Sequence, residues 1–214
     1  FTVPEAVDDV RRAVRFIRRN AEQYRVDPER LGVFGGSAGG HLSLMLGTTG
    51  RPWQFTFSQA PIDTASTQIQ AVPCFFPPTD FLNYGKPGEV ALGNGTLAGY
   101  KAPFEFTELD PKTKSFTLIT DQKRREEIGR EISPVNHAPS DDAPTLIIHG
   151  DADKLVPLQQ AEVMVEALKK AGVETELVVK KGAAHGWSGM EKDMETFADW
   201  FDKHLAKKEV KKAE

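Results

Sequence analysis

Leu31-Gly32-Val33-Phe34-Gly35-Gly36-Ser37-Ala38-Gly39-Gly40-His41 runs a short apolar stretch straight into a glycine-rich turn, and residues 41–46 (His-Leu-Ser-Leu-Met-Leu) are mostly apolar again. The run Leu31–Phe34 bounded by turn formers predicts a buried strand, and the stretch after the turn predicts a helix ending near Gly47 or Gly50. Upstream, Thr2 followed by Glu5 forms a capping-box pattern, and Val7, Val10, Val14, Ile17, Ala21 and Tyr24 recur at spacings of three and four, as in an amphipathic helix. Its other face, Arg11, Arg12, Arg15, Arg18 and Arg19, reads as solvated. Asp27-Pro28 ends that helix.

Downstream, Ile69–Phe76 reads as a second buried strand stopped by Pro77-Pro78. Residues 81–139 are irregular, with glycines at 85, 88, 93, 95 and 99, many aromatics and one helix near Gln122–Glu131, so they read as a lid-like insertion. Regularity returns with a strand at Thr145–His149, a helix at Pro157–Ala171 closed by Gly172, a strand at Thr175–Lys180 and a helix at Met190–Leu205. The charged tail Lys207–Glu214 reads as frayed. Strands with continuous apolar interiors, separated by helices, predict an α/β fold with a parallel sheet covered on both faces. At 214 residues the chain is one domain.

Composition excludes several function classes. With 27 Lys+Arg against 31 Asp+Glu, the net charge of −4 gives no general attraction for nucleic acid or an anionic membrane. No apolar run approaches the roughly 18–20 residues that span a bilayer. The single cysteine, Cys74, rules out an internal disulfide and reads as a small core thiol. The histidines and acids show no metal-ligand spacing, so no metal and no cofactor is expected.

In a parallel sheet the loops at the carboxyl ends of the strands meet in one crevice, where functional groups are sought. Gly35-Gly36-Ser37-Ala38-Gly39 occupies such a loop, and small neighbours permit the sharp strand-to-helix turn that exposes a nucleophilic serine. By itself the pentapeptide also fits an ordinary glycine-rich turn or a phosphate loop; the absent Lys-Ser/Thr pair and G-x-G-x-x-G spacing count against phosphate. The loop after the third strand carries Asp151 and Asp153, and the loop after the fourth carries His185 between small residues. The chain order Ser37, Asp153, His185 is that of a hydrolase triad on an α/β sheet. Asp151, which reads as a turn cap, and Asp80, which follows another strand end, are the competing acids. His41 reads as a packed neighbour of the serine, and His137, His149 and His204 read as structural.

Gly35-Gly36-Ser37-Ala38-Gly39-Gly40-His41, Ser133-Pro134, His149-Gly150-Asp151-Ala152-Asp153-Lys154-Leu155-Val156-Pro157 and Ala184-His185-Gly186 together resemble the α/β-hydrolases. They are most similar to bacterial esterases of the kind that includes feruloyl and acetylxylan esterases and the hormone-sensitive-lipase-like carboxylesterases. The resemblance implies a serine hydrolase that cleaves a small carboxylic ester through an acyl-enzyme. It implies Ser37 as nucleophile, His185 as base, Asp153 as acid and the Ala38 N–H as an oxyanion donor. Gly36, Phe76, Asp80, Phe81, Val156 and Trp187 are expected to border the substrate. Phe76, Phe81, Tyr84, Tyr100, Phe104, Phe106 and Phe116 either line the acyl or alcohol pocket or form the insertion's own core.

Two departures from the resemblance bear on function. The family's upstream His-Gly-Gly loop, source of a second oxyanion contact, has no counterpart here, and four strands stand where the family has about eight. The expectation is an amino-terminally truncated chain. A prolyl-oligopeptidase-like peptidase, which shares the triad order and the H-G-x-x-D-x-x-V-P loop, is the alternative enzyme; a catalytically impaired binding module is the alternative outside enzymes.

Overall fold

The computed structural model describes residues 1–50 and 65–206; the tail expected to fray lies outside them. The chain opens with α1 (Val3–Arg19), whose capping box has Thr2 and Glu5 exchanging side-chain and backbone bonds, followed by the short α2 (Ala21–Tyr24). Then come β1 (Gly35–Gly36), α3 (Ala38–Thr48) and β2 (Val72–Phe75). A two-stranded antiparallel ribbon, β3 (Thr107–Leu109) with β4 (Phe116–Leu118), precedes α4 (Gln122–Glu131). The chain closes with β5 (Thr145–Gly150), α5 (Gln159–Lys170), β6 (Thr175–Lys180) and α6 (Asp193–Leu205).

Four strands make a parallel sheet in the order β1-β2-β5-β6. Successive side chains of a strand point to opposite faces, and here both faces are apolar. Val72, Cys74 and Ile147 meet Val14 of α1, Leu44 of α3 and Met164 and Leu168 of α5 on one side. Ala71, Phe75, Leu146 and Ile148 meet Phe197 and Trp200 of α6 on the other. Ile147 and Ile148 are wholly buried, and each such side chain contributes roughly 1.5–3 kcal/mol. Cys74 lies in this core, where burial pushes its thiol pKa up and keeps it protonated.

Two local expectations need correction. Leu31–Phe34 is not a fully buried strand: it meets the residue before β2 through an isolated bridge, Gly32 to Ala71, and regular pairing begins only at Gly35. Among the described residues it lies at the sheet edge, so Phe34 is 54% exposed and rests edge-on against Phe197 and Phe201. The arginine face of α1 is not uniformly solvated either. Arg11, four residues after Val7, falls on the apolar stripe, and its buried guanidinium donates to Thr49 Oγ1 at 2.6 Å and Asp8 Oδ1 at 3.3 Å. Arg15 and Arg18 donate to the carbonyls of Ala65 and Gln68, whereas Arg12 stays in water. A long stem with a forked donor lets these side chains tie a helix to a loop from the stripe's margin, which a simple polar-face reading overlooks.

The stretch between β2 and β5 forms a cluster of its own from Phe81, Tyr84, Leu92, Leu97, Phe104, Phe106, Ile119, Ile128 and Ile132. The own-core reading therefore holds for Phe81, Tyr84, Phe104 and Phe106, while Tyr100 and Phe116 are exposed. His41 joins this cluster to the sheet layer: it packs edge-on against Phe81 and its Nε2–H donates to the Ile132 carbonyl at 2.7 Å. Complete burial pushes the His41 pKa down from 6.5 to about 4, so folding keeps it neutral. The unfolded chain then binds the extra proton. His41 stabilises the fold fully above pH 6.5 and loses that contribution as pH falls toward about 4. Urea unfolding at stepped pH should show a loss on the order of 3 kcal/mol across this window, with buried His149 acting in the same direction. His41→Gln should flatten the slope; an unchanged slope would show that His41 does not stay neutral.

Candidate active site

The turn between β1 and α3 forces Ser37 to φ 55°, ψ −121°, a conformation an L-residue holds only at a cost of about 1–3 kcal/mol. The neighbours make room for it. A Cβ on Gly35 would sit 2.5 Å from the Gly39 backbone, and one on Gly40 would sit 2.9 Å from the Phe75 carbonyl. Gly39, by contrast, faces open space, so the contact-driven glycines are 35 and 40. The Ser37 N–H donates to the Phe75 carbonyl at 3.0 Å, fastening the turn to the end of β2. Ala38 then opens α3, in the first turn where backbone N–H groups have no carbonyl within the helix to reach.

Ser37 Oγ lies 2.9 Å from His185 Nε2, and His185 Nδ1 lies 2.7 Å from Asp153 Oδ2. A carboxylate only accepts, so Nδ1 carries the hydrogen and Nε2 presents a lone pair to the serine hydroxyl. Asp153 is buried, and its Oδ1 accepts the Leu155 and Val156 N–H groups, both at 2.9 Å. The acid is thus aimed by its own loop. Of the competitors, Asp151 accepts the Gly182 N–H at 2.6 Å, and Asp80 accepts Leu82 N, Asn83 N and Asn83 Nδ2. Asp80 thus caps its own turn, whereas Asp151 bonds across to the loop after β6 instead of capping the turn it stands in.

Two strand ends are pressed together to bring acid and base into line. A Cβ on Gly150 would lie 2.2 Å from the Ala183 carbonyl oxygen, and the Ala152 N–H donates to that same oxygen at 2.9 Å. His185 sits at the apex of a tight turn in which the Gly186 N–H returns to the Ala184 carbonyl, with Gly186 at φ 105°. Behind it, Trp187 Nε1 donates to Asp193 Oδ2 at 2.7 Å, while Lys180 pairs with the other oxygen of Asp193. The last residue of β6 and the first of α6 therefore brace the loop between them.

The remaining candidates take different places. Phe76, at φ 34°, sets its ring 4.3 Å from the His185 ring, and Trp187 packs edge-on against it. Gly36 is exposed beside Phe76. Phe81 and Val156 are buried at 3% and 1% exposure, so their side chains stand behind the crevice and not at its surface. Asp80 lines a separate polar cavity of about 430 Å³ with Glu126, Arg130 and Asn136. One supporting residue, Gln160, escaped the sequence reading, and Tyr84, expected only as pocket lining or core, also bonds to the acid loop. Buried Gln160 accepts the N–H groups of Thr79 and Asp80, and Tyr84 donates to the Leu155 carbonyl at 3.1 Å. A glutamine one residue before Ala161, on the stripe Ala161, Met164, Val165, Leu168, was the available signal. Among the described residues, no group of three or more His, Cys, Asp or Glu could hold a metal ion, and no helix is long and apolar enough to cross a membrane.

Comparison with known proteins points the same way. A model of the BD-FAE family matches residues 1–168, and one of the dienelactone hydrolase family matches residues 129–213. The probable carboxylic ester hydrolase LipM of Mycobacterium tuberculosis is 29% identical over 79% of this chain and 35% of its own length. The uncharacterized peptidase YuxL of Bacillus subtilis is 29% identical over 92% of this chain and 25% of its own. The chain thus spans about a third or less of these relatives. Esterase 2 of Thermogutta terrifontis superposes with a TM-score of 0.69 at 26% identity, covering 98% of this chain and 68% of that one. The same esterase has a structure phosphoramylated by tabun. The sheet, its helical cover and these neighbours establish an α/β-hydrolase-type fold.

Gly150→Ala tests the pressed loops. The added methyl meets backbone, not a movable side chain, so a stability loss of about 1 kcal/mol or more is expected, seen as a melting midpoint lower by about 2–4 °C or more. Gly182→Ala, which meets nothing within 4 Å but carries φ 68°, serves as the comparison for backbone strain alone.

Proposed function

As the chain belongs to the BD-FAE family, we propose that it is a cofactor-independent serine esterase acting on a small carboxylic ester through an acyl-enzyme. The observation that carries this reading is the unbroken line from Ser37 Oγ to His185 to Asp153, at 2.9 and 2.7 Å. Ser37 Oγ attacks the ester carbonyl while His185 Nε2 takes its proton, and the alcohol leaves with that proton. Water then attacks the acyl carbonyl, with His185 again as base, and the acid product departs. Asp153 holds the Nδ1–H tautomer and stabilises the imidazolium as it forms. The Ala38 N–H, at the positive end of α3, faces the developing oxyanion. Phe76 and Trp187 form the apolar wall beside the base, and Gly36 leaves room for substrate.

The family, the likeness to LipM and the tabun-modified structural neighbour support ester hydrolysis at an activated serine. The likeness to YuxL makes a peptidase the weaker second reading.

Ser37→Ala should remove p-nitrophenyl ester hydrolysis by about 10³-fold or more without lowering the melting midpoint. An organophosphonate should label Ser37 in the unmodified protein; near-normal turnover by the variant would refute the assignment. An aminoacyl amide assayed in parallel separates peptidase from esterase. Asp153→Asn should cost far more turnover than Asp151→Asn or Asp80→Asn, on the order of 10³–10⁴-fold, because it alone disturbs the imidazole tautomer. The reverse ranking would move the acid.

A further inference from the structure

His149 is the penultimate residue of β5, next to the acid loop, and is completely buried. Its Nε2 lies 2.8 Å from the Val156 carbonyl, which only accepts, so Nε2 carries the hydrogen. Nδ1 is then a bare lone pair, and it is buried without a hydrogen-bond partner among the described residues. Such an unmatched acceptor costs about 1–3 kcal/mol. An imidazole is therefore an expensive choice for closing a loop, unless its N–H does something more.

A second acceptor sits beside it. Asp153 Oδ2, the oxygen that receives the His185 Nδ1–H, lies 3.4 Å from the same His149 Nε2. Asp153 is thereby held on every side: Leu155 and Val156 N–H on Oδ1, His185 on Oδ2, and the His149 dipole flanking Oδ2. The ionisable groups around His149 are Asp153 from its own loop and His185 from the loop after β6. Tyr84, from the 81–139 stretch, faces Asp153, and burial keeps its hydroxyl protonated. The Phe76 ring, 6.4 Å away, stands edge-on to the imidazole. Burial holds His149 neutral by pushing its pKa below the ordinary histidine range.

Resting on the triad reading above, we propose that His149 is a positioning residue whose Nε2–H holds the Val156 carbonyl and flanks ionised Oδ2 of Asp153, and so sets how firmly the acid retains the His185 proton. The positive end of an N–H dipole beside a carboxylate stabilises its charge and lowers its basicity even when the hydrogen bond itself goes to a neighbouring carbonyl. Without it, Asp153 grips the imidazolium harder, and the base is freed of its proton only at higher pH.

The test is the pH profile of kcat/KM for p-nitrophenyl acetate. His149→Phe keeps the shape but no donor; its acid limb should move up by about 0.5–1 pH unit and its kcat should fall, with KM unchanged because His149 touches no substrate. His149→Gln, whose amide reaches the same place, should return the limb to its original position. Where the Phe variant does not fold, His149→Asn, too short to serve both oxygens, should show the upward shift instead. A folded Phe or Asn variant with an unmoved limb overturns the proposal, as does a folded Gln variant that shifts as Phe does. Organophosphonate labelling separates the two levels: labelling away from Ser37 in the unmodified protein refutes the triad itself, whereas labelling at Ser37 with an unmoved limb refutes only the role of His149.

Discussion

The Ala183 carbonyl oxygen occupies the space where a side chain at position 150 would have to begin. That exclusion lets the loops after β5 and β6 lie against one another, and the rest of the site follows from it. With Gly150 bare, the same oxygen accepts the Ala152 N–H, and Asp151 reaches across to the Gly182 N–H. Two loops that would each be mobile alone become one bonded layer. Asp153 and His185 face each other across that layer at 2.7 Å because their backbones are already in register. A 1 Å misplacement in such a constellation is enough to cost on the order of 10²-fold in rate, so the layer's rigidity is a functional property.

Ser37 arrives from the opposite direction under a different constraint. Its strained φ is held from both sides, by the Ser37 N–H bonded to Phe75 and by the close backbone approach of Gly35 to Gly39. Strain of this kind persists only where the surroundings over-determine it. Here they do so at the junction of β1, β2 and α3, anchored by a β2 whose residues are all buried. The elbow is therefore stiff although β1 itself is two residues long and lies at the edge of the described sheet.

Much of this was legible in the chain. β6 and α4 stand where the spacing of residues places them, and β5 runs one residue further, because apolar runs and turn formers are local signals. The crevice residues were legible for a second reason: glycines crowd where backbones touch, at 35, 40 and 150, and those places also carry Ser37 and the acid loop. What was illegible depends on long-range partners. Phe34 reads as core until one knows that nothing described covers the outer side of β1. Arg11 reads as surface until Thr49, thirty-eight residues away, receives it. Val156 and Phe81 read as pocket lining, yet their side chains face inward, since nearness in sequence to a catalytic loop does not say which way a side chain turns.

The stretch between β2 and β5 is the part of the chain that pattern alone did not settle, and its bonds show what it is fastened to. It is tied to the acid loop by the Tyr84 hydroxyl on the Leu155 carbonyl, and to the start of α5 by the Gly85 N–H on Gln159. Ser133, whose hydroxyl accepts the Phe81 N–H, closes it on itself, and His41 on Ile132 ties it to α3. Gln160 links the same region to α5 through Thr79, Asp80 and Asn83. Of these contacts the Tyr84 bond touches the acid loop directly, and the His41 bond reaches α3, which begins next to Ser37. A body with its own apolar core, bonded to the loop that carries Asp153, supports that loop from behind.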